Sequence, residues 1–497
     1  MVYSTASGWI AGLVLGVGYS VLDQVTRRNR QWPRHLRAWC LVLPLLISGC
    51  VSYQSSDFVQ NIDQRYQAGQ YLAAAEAVEQ QLGFMDVKTR ELQPVVARSG
   101  EVLLHLEAAE NWRLAGNPRR AIAHYDALEN LFKDKDVQGS ARKLGENVGA
   151  ALVNDAVRSY EPPPAERILT NFYKALAFWS LGEKDNARVE FNRANERARI
   201  AVERYQDMIN EAERENRERS GDAYRNLQSS GVKNALRQNF PNMDHWQVYD
   251  SFVNPAVAYM NAMFLAAGSG SDIGQAETLL TRVNGMVGGH PIIAQDLLNI
   301  RERGRLRGGV PQRWIVFESG LSPVYGEKRF SIPWFTMNAF IQVTVALPEL
   351  VNRTSRGTVN GVALANQTVE FLPLARMDRI MQTEFQKRWA ATVSRAVVSA
   401  ASKAILQDRM AKEFGPLGNF AGMIYANASA SADTRGWHAM PEQWSLAKMP
   451  ATQAAELRIP YGSGMATTMS LPANKDVLIY IKQPSPSAAP YVELFYL

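Results

Sequence analysis

The apolar pattern of this chain changes period once, near Pro311, and that change limits the folds open to it. From Ser56 to about Arg303 apolar residues recur at helical spacing; beyond Pro311 they alternate, as in half-buried strands. Helices first and strands afterwards point to an α+β multidomain protein. The expected organisation is a helical domain over 56–303, a linker over 304–312 and a β-rich domain over 313–497, with 497 residues enough for several cores.

Within the helical half one cadence recurs: a glycine, a small residue five positions on, and a bulky apolar residue nine positions on. It appears at Gly69/Ala74/Val78, Gly116/Ala121/Tyr125 and Gly182/Ala187/Phe191. Glycine tolerates the positive φ that closes a helix, alanine lets a second helix approach, and the bulky residue fills the groove one turn later. The segments around Gly116 and Gly182 resemble tetratricopeptide repeats. A further copy is expected at Pro255–Val283, its turn widened over Gly268–Gly274. The uneven spacing implies an irregular solenoid rather than a regular array. Glu161-Pro-Pro-Pro164 must interrupt any helix. Glu183–Ser220 reads as one long charged helix with a sparse stripe of Val189, Ala194, Ile200, Tyr205, Met208 and Ile209.

Strands are expected at Arg313–Gly320, Lys328–Trp334, Ala339–Leu350 and Gln367–Leu374, and again at Trp444–Met449, Ala455–Tyr461, Asp476–Gln483 and Tyr491–Leu497. Between the two sets lies a helical insertion, 376–428. It comprises an amphipathic helix from Arg376 to about Phe414, with Ile380, Phe385, Trp389, Val393, Val397 and Ile405 near one face, and a shorter helix at Leu417–Ala428. Strands around a helical insertion suggest a β-sandwich-like domain.

The start of the chain concerns address rather than fold. Arg27, Arg28, Arg30, Arg34 and Arg37 precede a short apolar run, Ala38–Ile47, followed by Ser48, Gly49 and Cys50. A charged region, an apolar region and a small-residue cleavage site form a secretory signal. Ile47-Ser48-Gly49-Cys50 resembles the lipobox of bacterial lipoproteins. That resemblance implies a leader over 1–49, acyl chains on Cys50 and a lipidated tether over 50–55; Val51 implies retention at the outer membrane, facing the periplasm. An earlier apolar run, Gly8–Leu22, implies either a translation start further downstream, the favoured reading, or a long region ahead of the signal. Five of the 54 basic residues and one of the 48 acidic ones precede Cys50, so the remainder is nearly neutral and carries no nucleic-acid signature. With Cys40 in the leader and Cys50 lipidated, no thiol or disulfide remains.

No catalytic pattern stands out. The six histidines show neither HExxH spacing nor a close pair in sequence, and there is no GxSxG elbow or phosphate-binding loop. His105 and His124 read as packed or hydrogen-bonded groups, and Glu107 and Glu110 as a helix-surface pair. No metal or other cofactor is implied. Asp433-Thr-Arg-Gly-Trp437-His-Ala-Met-Pro441 is similar to a segment of proteobacterial envelope lipoproteins with the same order of lipobox, helical repeats and terminal strands. Locally, Arg435 is expected to bond Asp433 and Trp437 to pack beneath the turn. These features describe a non-enzymatic adaptor whose helical groove holds a protein or peptide, with Asn111, Arg113, Arg119 and His124 as candidate contacts. The alternatives are a hydrolase acting on cell-wall polymer and an accessory subunit of a secretion or surface-appendage complex. Nothing in the sequence sets an oligomeric state.

Overall fold

The computed structural model describes residues 56–497 except 99, 143–159, 220, 242, 244–245, 247–253, 269, 336–339, 354–360, 402–403 and 405–430. The leader, Ile47, Ser48, Gly49 and Cys50, and the segment Leu417–Ala428 lie outside the described residues.

The first half is helical. Helices α1 (Ser56–Gln67) and α2 (Tyr71–Leu82), α3 (Val102–Leu114) and α4 (Pro118–Arg142), and α5 (Pro164–Ser180) and α6 (Lys184–Arg219) pack as successive pairs. The three turns between partners close alike. Gly69, Gly116 and Gly182 have φ of 73°, 79° and 76°, and the next residue's N–H reaches back to the carbonyl five positions earlier: Gln70 to Arg65, Asn117 to Trp112, Glu183 to Phe178. Ala74, Ala121 and Ala187 are fully buried, as are Val78, Tyr125 and Phe191. Short helices α7 (Gly221–Gln228) and α8 (Ser230–Asn239) precede another pair, α9 (Pro255–Ala266) and α10 (Ser271–Met286), and then α11 (Pro291–Arg303). On α6 the buried face runs through Ala187, Phe191, Ala194, Ala198 and Ala201, so Val189, expected on the apolar stripe, is instead exposed.

The second half forms three sheets among the described residues. The five-stranded one has the order β11 (Tyr491–Tyr496), β10 (Val477–Gln483), β1 (Gln312–Ser319), β7 (Gln443–Pro450), β6 (Leu372–Arg376), with β1 and β10 parallel and the other pairs antiparallel. Strands β1 and β10 are buried on both sides, and alternation sends their residues to two cores. Trp314, Val316, Leu478 and Tyr480 join the helices. Ile315, Phe317, Ile479 and Ile481 pack against a second sheet of β5 (Gln367–Thr368), β4 (Ala363–Leu364), β8 (Ala455–Tyr461) and β9 (Met465–Leu471). The strand expected at Gln367–Leu374 is split between β5 and β6, which lie in different sheets, and β9 was not anticipated. A third core joins the hairpin β2 (Val324–Phe335)–β3 (Phe340–Val351) to α8 and to α12 (residues 377–401), which is the described part of the helical insertion.

The helical half and the five-stranded sheet share one hydrophobic core running from Ile62 to Phe495. All of α3 is buried, as is almost all of α5 and α9. α5 packs on β11, with the Trp179 and Phe495 rings stacked at 4.0 Å, and α9 packs on β6. The inner side of the helices is therefore occupied by the chain's own second half.

Candidate functional site: polar groups between helices and sheet

Helix α3 carries His105, Glu107, Glu110, Asn111 and Arg113 into that shared interior. Burying an ionised group without a partner is costly; Glu107, Glu110 and His105 are met from elsewhere in the fold, while Arg113 pairs with Glu110 and Asn111 bonds the Glu107 carbonyl of the same helix.

At the centre, Glu110 accepts from Arg113 Nε at 2.8 Å and Nη2 at 2.7 Å, and from Lys482 Nζ at 2.7 Å. Lys482, on the parallel strand β10, also reaches Glu318 Oε1 at 2.6 Å. Glu318 accepts from the Tyr173 hydroxyl at 2.6 Å, the Tyr480 hydroxyl at 2.5 Å and Trp444 Nε1 at 2.9 Å. The Arg113 guanidinium lies 4.8 Å from the Tyr173 ring centre and 5.2 Å from that of Tyr491. Two cations thus face two carboxylates. Burial pushes Glu110 up, but Arg113 and Lys482 outweigh it and hold the carboxyl below its ordinary value.

A second hub is Glu79 on α2. It accepts from Trp112 Nε1 at 2.8 Å, Arg120 Nε at 2.5 Å and His124 Nε2 at 2.8 Å. His124 Nδ1 in turn lies 2.9 Å from His105 Nδ1, so one ring donates and the other accepts. Burial pushes Glu79 up, yet His124 and Arg120 keep it low overall. Burial, reinforced by His124, drives His105 down to about 3; burial also lowers His124, against the pull of Glu79. Both imidazoles are neutral at neutral pH.

In the third cluster no cation among the described residues pairs with the carboxylates at bonding distance. Glu107 and Glu166 bond one stretch, 431–442, that forms neither helix nor strand, and Glu384 lies near Glu166. Glu107 Oε1 accepts the His438 N–H at 2.8 Å, and Glu166 Oε1 accepts that of Trp437 at 3.0 Å. Glu384 Oε1 accepts the N–H of Ala165, at the start of α5, at 2.6 Å. Burial raises Glu107 and Glu384 to about 8 and Glu166 to about 7, despite these N–H bonds and the pull of Arg353 on Glu107 and of Arg388 on the other two. In the same stretch Arg435 donates to Asp433 through Nε and Nη2, both at 2.7 Å, and Trp437 is buried edge-on to Tyr173. Pro441 is buried as well.

The positions of the four candidate contact residues require a correction. Asn111, Arg113 and His124 are buried: Arg113 lies against Tyr480 and Tyr491 of the sheet, His124 is enclosed by Glu79, Phe84 and His105, and Asn111 bonds the Glu107 carbonyl of its own helix. Arg119 alone of the four is at the surface, paired with Glu183 at 2.8 Å. Glu107 and Glu110 are likewise interior groups, not a helix-surface pair. The sequence signal that could have revealed this is the mean character of α3: VLLHLEAAENWRL has no polar face, so its charged residues had nowhere to go but inward. Among the described residues no group of three or more His, Cys, Asp or Glu side chains could hold a metal ion, and no helix is long and apolar enough to cross a membrane. No family model matches the chain, and no curated protein or solved structure matches it either.

Proposed function

We propose that this chain is a lipid-anchored lipoprotein of the bacterial envelope, held at the outer membrane by acyl chains on Cys50 and facing the periplasm. There it serves as an interaction scaffold in envelope assembly or cell-wall machinery. The observation that carries this reading is the basic run, short apolar run and Ile47-Ser48-Gly49-Cys50 ending in the sequence. One acyl chain binds a bilayer only marginally, whereas several make a durable anchor. We read the pairs α1–α2, α3–α4, α5–α6 and α9–α10 as irregular tetratricopeptide-like repeats, and the two facing sheets as a β-sandwich-like unit. The repeated glycine closure of the first three pairs supports the former. A scaffold role is favoured because the charged groups of the shared interior are spent on one another rather than turned toward a cleft. With the inner side of the helices occupied, partners would meet the outer surface, where Arg119 lies.

The test is mass spectrometry of the mature amino terminus together with membrane fractionation of Cys50→Ser. Acylated Cys50, and loss of the variant from the membrane fraction, are expected. An unmodified Cys50, or unchanged fractionation of Cys50→Ser, would overturn the anchor. Crosslinking in intact cells then tests the scaffold: recovery of no envelope protein would remove it.

A further inference from the structure

The 431–442 stretch lies across the shared interior as a strap. Side chains satisfy much of its backbone as far as Ala439; beyond that, the Ser322 N–H donates to Met440 O and the Glu442 N–H to Ser319 O at the end of β1, both at 3.0 Å. In the first part N–H groups go to carboxylates: Ala432 to Glu327 Oε2 at 2.6 Å, Trp437 to Glu166, His438 to Glu107. Its carbonyls take donors from three further places. Arg353 Nη2 meets His438 O at 2.6 Å, while the Tyr66 hydroxyl and Lys482 Nζ meet Ala439 O at 2.9 Å and 3.1 Å. The strap's last residue is tied to α12, through the Met377 N–H to Glu442 O at 2.8 Å. Gly436 faces Tyr325 and Glu166; a Cβ there would make ordinary contacts of 3.4 Å and 3.7 Å with their side-chain atoms.

The strap thereby connects two packed regions. The third core, built from the β2–β3 hairpin, α8 and most of α12, is separate from the core shared by helices and sheet. The polar links between them gather at the strap and its neighbours: Glu327 from the hairpin, Arg353 just beyond it, and Glu384 from α12 to Ala165 of α5. We propose that the strap, Glu107 and Glu166, which bond it, and Glu384, which ties α12 to α5, form a proton-gated clasp that closes this arm onto the body and opens as the glutamates ionise.

The physical basis is that, among the described residues, backbone N–H groups and the Tyr160 hydroxyl, rather than cations, bond these carboxylates. A protonated carboxyl still offers a carbonyl oxygen to an N–H, so the bonds from Ala165, Trp437 and His438 persist when the glutamates are neutral. Once ionised, Glu166 repels both Glu107 and Glu384 in a setting that water does not screen. The groups facing them do not titrate to compensate. Tyr160 and Tyr325, beside Glu166 and Glu384, are pushed upward by burial and stay protonated. His438, beside Asp63 and Arg353, is pushed downward by burial and stays neutral. Arg353, Arg388 and Arg435 are permanent cations; Arg388 and Arg353 act on the cluster, against Asp433 and Asp63. Two buried atoms at the clasp, Glu384 Oε2 and Trp437 Nε1, have no hydrogen-bond partner, so its closed form is not fully satisfied.

Hydrogen exchange read by mass spectrometry on the whole chain, corrected for the intrinsic pH dependence of exchange, tests the clasp. Between about pH 6.5 and about pH 9, protection of peptides covering 431–442 should fall at least about tenfold, while peptides of β10 keep theirs. The combined variant Glu107→Gln, Glu166→Gln, Glu384→Gln should hold strap protection constant. Equal strap protection at both pH values, parallel loss in strap and β10, or an undiminished fall in the combined variant would each overturn the proposal. If the combined variant shows no β10 protection at the lower pH, Glu384→Gln alone replaces it and must shrink the fall; a fall equal to that of the natural chain overturns the clasp.

Discussion

Two sets of carboxylates lie within the same interior and behave in opposite ways. Glu110 and Glu318 meet Arg113 and Lys482, so charge is balanced within bonding distance and Glu110 is held ionised. Glu107 and Glu384, similarly buried, meet mainly backbone N–H groups and are driven up to about 8. Glu107 and Glu110 are three residues apart on one helix. Burial alone therefore does not decide a carboxylate's state; what matters is whether a cation comes within bonding distance. For Glu110 these are Arg113, three residues on in the same helix, and Lys482, from a strand some 370 residues further along the chain.

Substitution at Lys482 should break this contrast most visibly. Lys482→Met leaves Glu110 and Glu318 buried against a single cation, and should cost about 3–5 kcal/mol in urea denaturation at neutral pH. Glu107→Gln, which replaces an already protonated acid by a neutral acceptor, should cost less than about 1.5 kcal/mol. Comparable losses for the two variants would erase the distinction between the clusters.

The pH dependence is the next largest effect. Glu107 and Glu384 keep protons up to about 8, and Glu166 up to about 7, which the unfolded chain releases near its ordinary 4.5. Stability from these groups is thus fullest below the unfolded value and declines as pH rises through the folded ones, by at most about 1.4 kcal/mol per pH unit for each group. Glu79 and Glu110 act in reverse: their contribution is present above the ordinary carboxylate value and is lost as pH falls through their lowered folded values. His105, lowered to about 3, adds a loss as pH falls below its ordinary 6.5. Denaturation midpoints should therefore decline from about pH 6.5 to about pH 8, and the double variant Glu107→Gln, Glu384→Gln should flatten that decline.

Smaller effects separate the helix closures. Gly116→Ala imposes a positive φ on alanine with nothing within 4 Å of the new Cβ, and should cost about 1–2 kcal/mol. At Gly69 the Cβ would also meet Ala489 N at 2.7 Å, so Gly69→Ala should add about 1–3 kcal/mol to that, read as a lower denaturation midpoint. Smallest of all, Arg119→Ala at the exposed Glu183 pair should leave the midpoint unmoved.

The helix pairs were legible because their signal is local. A glycine, an alanine and a bulky residue at fixed offsets specify a closed turn and a close approach, and Gly116, Ala121 and Tyr125 occupy those places. Asp433, Arg435 and Trp437 stood out for a similar reason, since an aspartate two residues before an arginine can bond it within one turn. Strand β9 was missed: Met-Ala-Thr-Thr-Met-Ser-Leu carries little apolar alternation and gains its pairing from β8. The division of residues 367–376 between β5 and β6 was equally hidden, because strand partners separated by many residues leave no trace in the local pattern.

Periodicity and turn chemistry alone determined where helices give way to strands, and the residues before Cys50 set the expectation of an anchored address, since each rests on neighbours along the chain. Whether Arg113 faces a partner or the interior was decided only when the sheet closed over the helices, and His124 was enclosed by the packing of α2 to α4. The charge state of a buried side chain depends on groups that only folding brings near it, and those groups lie hundreds of residues away.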